Sequence, residues 1–198
     1  MKEVTHTYFL KPFLDSIIAL LILIILSPVL IVSIFLIIFS SRGPFFFIQE
    51  RIGKKGKVFK LYKLRTMTHK TRDADREILK GDPELTKIGV LLRRFKIDEI
   101  PQFINILKGD MSIVGPRPCL PEQLEDFDKN GYRRIEVKPG LTGLAQINGN
   151  IHLSWPERWV YDKEYVENIS FWLDIRIIFT TISIVIFGED KFIKHPHV

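Results

Sequence analysis

The sequence predicts an α+β fold, with an apolar N-terminal membrane helix ahead of a small, mostly helical domain that carries a short β-hairpin. Three observations lead there. The apolar residues of this 198-residue chain, 46% of the total, gather near its two ends. A GKKG turn at residues 53–56 sits between aromatic and β-branched flanks, as in a hairpin. Further on, Ile100, Phe103, Ile104 and Leu107 fall at i, i+3, i+4 and i+7, one apolar stripe along a helix.

The first element is the apolar run from Phe13 to Phe39, long enough to span a bilayer as a helix. It is too long for a signal peptide and has no small-residue cleavage site. Ser27-Pro28 lies in its middle, where proline removes the hydrogen bond to the Ile24 carbonyl and favours a kink. Both flanks are basic: Lys2 and Lys11 before, Arg42, Arg51, Lys54 and Lys55 after. A spanning helix concentrates Lys and Arg on one side. The residues alone therefore leave two readings open, an ordinary span and a re-entrant helix broken at Ser27-Pro28. A boundary after residue 42 separates this membrane segment, 1–42, from a globular domain, 43–198.

The hairpin follows, its second arm placing Lys60, Lys63 and Arg65 close together. Residues 68–84 are polar and read as a loop or short exposed helix. Helical period returns with Leu85, Ile88, Leu92 and Phe95, closed by Arg93 and Arg94. In the next helix Pro101 is tolerable only in the first turn, which puts the start near Asp98 as N-cap, and Lys108-Gly109 is a stop. VGPRPCLP at 114–121 is a proline-stiffened loop. VKPGLTGLAQINGN at 137–150 reads as a glycine-rich turn followed by a short strand or hairpin. A helix starts near Trp155. The apolar stretch from Ile169 to Phe187 carries Asp174 and Arg176, so an interfacial amphipathic helix packed on the domain is preferred to a second span.

Formal net charge is +6, which suits phosphate, anionic lipid or nucleic acid. No zinc-ligand spacing or RNP-type strand supports nucleic acid. The single cysteine, Cys119, cannot form an internal disulfide and fits a reducing, cytoplasm-facing domain. It reads as a small loop thiol. The histidines His6, His69, His152, His195 and His197 show no metal-binding spacing, and the glycines of 140–149 match neither a dinucleotide fingerprint nor a P-loop.

Asp98-Glu99 is the centre of the chemistry. Adjacent acids at a helix start are explained by capping and the helix dipole alone. Their surroundings add a second reading. Arg93 and Arg94 lie just upstream, Lys63 and Arg65 come from the hairpin, and Arg117 is presented by two prolines that restrict its backbone. Cations gathered at a helix N-terminus suit phosphate. A carboxylate held there can attack phosphorus to give an acyl-phosphate, and its neighbour can hold Mg²⁺.

Four stretches, in order and covering nearly the whole chain, carry a resemblance: QERIGKKGKVFKLYKLRTM, RRFKIDEIPQFINILKGDMSIVGPRP, KPGLTGLAQING and YDKEYVENISFWLDIRIIFTT. They resemble the bacterial sugar transferase family, the small monotopic phosphoglycosyl transferases. The resemblance implies one re-entrant helix broken at Ser27-Pro28, Asp98 as covalent nucleophile and Glu99 as the Mg²⁺ ligand. It also places Lys63, Arg93, Arg117 and Asp162 in the active-site environment. Two positions depart from the family pattern: Leu144 where tryptophan is frequent and Asn150 where arginine is common.

The implied reaction joins a UDP-sugar to a polyprenyl phosphate such as undecaprenyl phosphate. UMP leaves, and the polyprenyl-diphosphate-sugar starts a glycan that downstream glycosyl transferases extend. The implied place is the bacterial inner membrane, with the globular domain in the cytoplasm. Two rivals are a non-catalytic scaffold for anionic lipid and a glycosyl transferase releasing UDP.

Overall fold

The computed structural model describes residues 10–68 and 82–188. The expectations placed on Lys2, on His6, His69, His195 and His197, and on most of the polar stretch 68–84 lie outside these residues.

The expected break at Ser27-Pro28 does not interrupt the helix: α1 is a single helix, Lys11–Ser40, with Pro28 inside it. The Ile24 carbonyl that Pro28 leaves without a backbone donor accepts from Ser27 Oγ at 2.8 Å. The Ser-Pro pair thus carries its own repair. Among the described residues α1 is the one helix long and apolar enough to cross a membrane.

Both ends of α1 dock on the globular part. At its start the Lys11 ammonium donates to Asp174, and Asp15 Oδ2 accepts from Ser112 Oγ at 2.6 Å. At its end Ile37 is buried with Leu64 and Leu92, while Arg65 donates to the carbonyls of Ser41 at 2.7 Å and Arg42 at 3.0 Å. Between these anchors Leu20, Leu21, Ile24, Ile25, Ile31 and Val32 remain exposed.

Strands β1 (Phe46–Ile52) and β2 (Val58–Leu64) form the expected antiparallel hairpin, registered from Phe46 opposite Leu64 to Ile52 opposite Val58. Its turn places Lys55 and Gly56 at φ 58° and 76°. Helix α2 (Lys87–Arg94) starts at Thr86, whose hydroxyl accepts from Gly89 N at 2.8 Å. Helix α3 (Gln102–Leu107) buries Phe103 and Ile106 in the main core, beside Leu61, Met111, Ile113 and Tyr165. Leu107, expected on the buried stripe, is 40% exposed, and Ile106 takes its place.

Of the two forms expected after the glycine-rich turn, the structure has the short strand and not the hairpin. Gly140–Thr142 is strand β4, but it pairs in parallel with β3 (Ser112–Val114), Ser112 opposite Gly140 and Val114 opposite Thr142. No hairpin follows; the chain turns into helix α5 (Leu144–Asn148) after the short helix α4 (Lys129–Arg133) upstream. Glycine at 140 is required by close approach. A Cβ there would stand 2.1 Å from Gly115 N and 2.4 Å from Thr142 O, both backbone atoms.

Helix α6 (Trp155–Glu167) begins where the sequence placed it, with Ser154 and Glu157 forming a capping box. Helix α7 (Phe171–Phe187) packs Asp174 and Ile177 inward and leaves Trp172, Phe179, Ile182 and Ile186 exposed, so it lies along the domain with an apolar outer face. The Asp174 charge is met by Lys11 and by Tyr165, whose hydroxyl donates to Oδ1 at 2.8 Å.

Replacing Gly140 by alanine should therefore destabilise the fold by about 1–3 kcal/mol, the usual range for overpacking, because neither backbone neighbour can yield. A thermal melt of the detergent-solubilised chain checks this, and an unchanged melting temperature would show that the β3–β4 crossing is loose.

Candidate active site

The carboxylates lie on a tight turn between α2 and α3. Lys96 takes a left-handed conformation, φ 56°, and Ile97–Glu99 then forms one 3-10 turn. The expected helix start at Asp98 is therefore displaced: α3 proper begins at Gln102, with Pro101 flanking it. Pro101 does not cause this, since no helical bond would call on its N–H with Asp98 as N-cap. The turn closes by i→i−3 bonds after the left-handed Lys96, Glu99 N to Lys96 O at 3.1 Å and Ile100 N to Ile97 O at 3.2 Å.

Asp98 and Glu99 are both buried, at 5% and 8% exposure, yet their environments differ. Glu99 Oε1 accepts from Lys63 Nζ at 2.8 Å and from Arg117 Nη2 at 2.9 Å. Asp98 Oδ1 is buried with no hydrogen-bond partner. Burial pushes both carboxyls up. For Glu99 the cations Lys63, Arg117 and Lys96 outweigh it and hold the group well below its ordinary value. For Asp98 burial and the neighbouring Glu99 charge win over Lys63, Arg93 and Lys96, so its pKa is raised. One carboxylate is thus a fixed anion, and the other is left poorly solvated and more basic.

Three elements supply the cations. Lys63 stands near the end of β2, and α3 is fixed against that strand by Asn105, fully buried, whose side chain accepts from Tyr62 N at 3.1 Å and donates to Lys60 O at 2.7 Å. Arg117 comes from the GPRP loop, whose Gly115 N donates to Thr142 O at 2.9 Å while Gly140 N donates to Pro116 O at 2.8 Å. Arg93, on the last turn of α2, donates from Nε to Thr66 Oγ1 at 3.0 Å.

The structure does not bring every expected residue to the dyad. Arg65 is buried and turned to the C-terminal carbonyls of α1, so here it clamps that helix. Asp162 is 1% exposed on α6, its Oδ2 3.1 Å from Arg134 Nε without hydrogen-bond alignment, and burial raises its pKa to about 6 against the pull of Arg134. Arg134 in turn donates to the Arg117 carbonyl at 2.6 Å. Ser27, half-buried, and Pro28, exposed, lie in the middle of α1. Cys119 is buried and burial pushes its thiol up, against a nucleophilic role. His152 is exposed on a short 3-10 turn. Leu144 is buried at the start of α5, and Asn150 sits at φ 48°, a conformation asparagine tolerates better than most residues.

Sequence reasoning missed three contributors. Lys96 sits next to the pair but shows no signal except a charge before it. Asn105 is a polar residue inside an otherwise apolar helix, a signal that was available. Arg134 stands in a run of two arginines that looks like a solvated face.

The sequence profile of the family described as bacterial sugar transferase matches residues 6–188. The chain is 43% identical over 180 residues to an uncharacterized sugar transferase, EpsL, of Bacillus subtilis strain 168, covering 91% of this chain and 89% of that one. It is 42% identical over 179 residues to the UDP-glucose:undecaprenyl-phosphate glucose-1-phosphate transferase of Escherichia coli K12, with coverage of 85% and 38%. To the undecaprenyl-phosphate galactose phosphotransferase of Salmonella typhimurium LT2 it is 35% identical over 194 residues, with coverage of 90% and 40%. It thus spans nearly all of the first relative and well under half the length of the other two.

The raised Asp98 pKa has a consequence for stability. An aspartate whose folded value lies above its unfolded one destabilises the fold when ionised, and the penalty vanishes below the unfolded value. Asp98→Asn should therefore raise the melting temperature at neutral pH. The gain should shrink as pH falls through the folded value and be gone by about the ordinary aspartate value of 3.8. A melting series against pH reads this directly, and a variant less stable than the parent at pH 7 would contradict it.

Proposed function

The chain belongs to the bacterial sugar transferase family, and from that premise we propose that it transfers a phospho-sugar from a UDP-sugar to undecaprenyl phosphate, with Asp98 as the nucleophile. The observation that carries this reading is the asymmetry of the acid pair. Glu99 is neutralised by Lys63 and Arg117, while Asp98 keeps a buried oxygen with no partner. Two of the similar proteins bear names that state transfer of a sugar phosphate to undecaprenyl phosphate, which fits the same chemistry.

In the proposed first step an Asp98 carboxylate oxygen attacks the sugar-bearing phosphorus of the UDP-sugar. The bond from that phosphorus to the bridging oxygen breaks, UMP leaves with that oxygen, and the sugar-phosphate remains on Asp98 as an acyl-phosphate. In the second step a phosphate oxygen of the polyprenyl phosphate attacks the same phosphorus, and Asp98 leaves as the carboxylate. Lys63, Arg93 and Arg117 surround the dyad with positive charge suited to the phosphoryl oxygens. Weak solvation keeps the Asp98 carboxylate reactive.

A divalent cation fits beside them. Glu99 uses one oxygen for both cations, so it retains lone pairs. Among the described residues no group of three or more His, Cys, Asp or Glu forms a cage. Mg²⁺ suits such a place, since it takes one or two carboxylates and completes its shell with water and diphosphate. Glu99 would hold it, and its chemistry there is to neutralise diphosphate charge.

The same reading makes α1 re-entrant, entering and leaving on the cytoplasmic face of the inner membrane. The support is that Lys11 and Asp15 at one end and Ile37 and Ser41 at the other dock on one globular unit. Undecaprenyl phosphate then reaches the dyad from the bilayer and the UDP-sugar from water. The product starts a polysaccharide or glycoprotein glycan, for downstream glycosyl transferases to extend.

The test is nucleotide release by the purified chain with Mg²⁺, undecaprenyl phosphate and UDP-glucose, UDP-galactose, UDP-N-acetylglucosamine or UDP-di-N-acetylbacillosamine in turn. UMP from one donor is expected, and Asp98→Asn should abolish both UMP release and a sugar-phosphate adduct on the protein. UDP as the released nucleotide would replace the reading by simple glycosyl transfer, and neither nucleotide from any donor would favour the scaffold. For topology, cysteines introduced at Lys2 and Arg42 should react with an impermeant label from the same side, and opposite sides would restore an ordinary span.

A further inference from the structure

The GPRP loop is held by its carbonyls, one after another. Pro116 O accepts from Gly140 N at 2.8 Å, Arg117 O from Arg134 Nη2 at 2.6 Å, Pro118 O from Arg51 Nη1 at 3.3 Å and Cys119 O from Ile52 N at 2.9 Å. The bond to Arg117 stands apart. Its donor is a guanidinium only 4% exposed, and a charged group so buried needs compensating partners. Arg134 has them. Its Nε lies 3.1 Å from Asp162 Oδ2, and its guanidinium stands over the rings of Phe127 and Trp155, at 5.5 Å and 6.0 Å from their centroids. The pull of Arg134 on the buried Asp162 carboxyl is the largest favourable influence on that acid's ionised form.

We propose that Arg134 is a positioning residue: it fixes the Arg117 main chain so that the Arg117 guanidinium meets Glu99, and Asp162 acts through Arg134 rather than at the substrate. Pro116 and Pro118 set their own φ and bias the residue before each towards extended geometry. The freedom left to Arg117 lies chiefly in its own φ, which swings the side chain and the carbonyl together, and the carbonyl is the group Arg134 holds. A short charge-assisted bond at that point transmits directly to the side chain 2.9 Å from Glu99 Oε1. Arg134 reaches this place because α4 packs on α6, which puts the turn Arg134–Glu136 above Asp162. The inference rests on the role given above to Arg117 and Glu99.

A double-mutant cycle on UMP release tests it, with the full chain and the donor that releases UMP fastest. Arg134→Lys keeps the charge and loses the planar fork. It should lower kcat by about tenfold or more, as misplacement of a reacting group does, with KM for the donor and the melting temperature little changed. In an Arg117→Ala background the same substitution should change kcat by less than about twofold, because coupled residues are not additive. A merely structural arginine would lose activity equally in both backgrounds, and that multiplicative outcome overturns the inference. Should Arg134→Lys fold poorly, Asp162→Asn takes its place with the same expected non-additivity and the same overturning result. Wild-type turnover in Arg117→Ala would also overturn it, while leaving the Asp98 reading to its own test.

Discussion

Two carboxyl groups on consecutive buried residues repel each other, and the fold around them resolves that conflict unequally. Lys63 and Arg117 both meet one oxygen of Glu99, which fixes its charge. Asp98 then bears the whole cost of its neighbour's ionisation as well as its own burial. An arrangement that shared the cations evenly would leave the two acids alike. The hairpin, the GPRP loop and the turn before α3 can be read as the means of keeping that inequality. Each delivers one participant from a different part of the chain, and each is tied down by backbone hydrogen bonds rather than by side-chain packing alone.

The legible parts of this arrangement were those with a local cause. The hairpin follows from Gly53 and Gly56 around a basic turn, α6 starts where expected near Trp155, and the spacing around α3 found Ile100 and Phe103 in the core but misplaced Leu107. The acid pair was visible because its cations cluster in sequence nearby or sit between prolines. The parallel pairing of β3 with β4 was not visible, since Ser112 and Gly140 meet only across the fold and three-residue strands carry no alternation. The glycines of KPGLTG suggested a turn, and what they permit is a backbone crossing against Gly115. Arg65 misled for a related reason. A basic residue two positions from Lys63 in a strand points to the same face by period, but at the strand's end Arg65 leaves the pleat and satisfies the carbonyls of α1. Arg134 was hidden because burial of a guanidinium depends on Phe127, Trp155 and Asp162 arriving from elsewhere.

The apolar helix α1 and the acid site are joined by the same residues. The end of β2 holds Lys63 on Glu99, and two residues later Arg65 grips the last turn of α1. The first turn of α1 is held through Asp15 on Ser112, in the strand that leads into the GPRP loop, and through Lys11 on Asp174. Both anchors of the apolar helix therefore sit one short step of chain from a cation on Glu99. On the proposed reading this is what the chemistry demands. One substrate is confined to the bilayer and the other to water, so the reacting phosphorus has a single plane in which both can reach it. Fixing the depth of α1 to β2 and β3 fixes the depth of the dyad. The ionic anchor at Lys11 and the carbonyl clamp at Arg65 thus belong to the same functional unit as Asp98, although neither touches it.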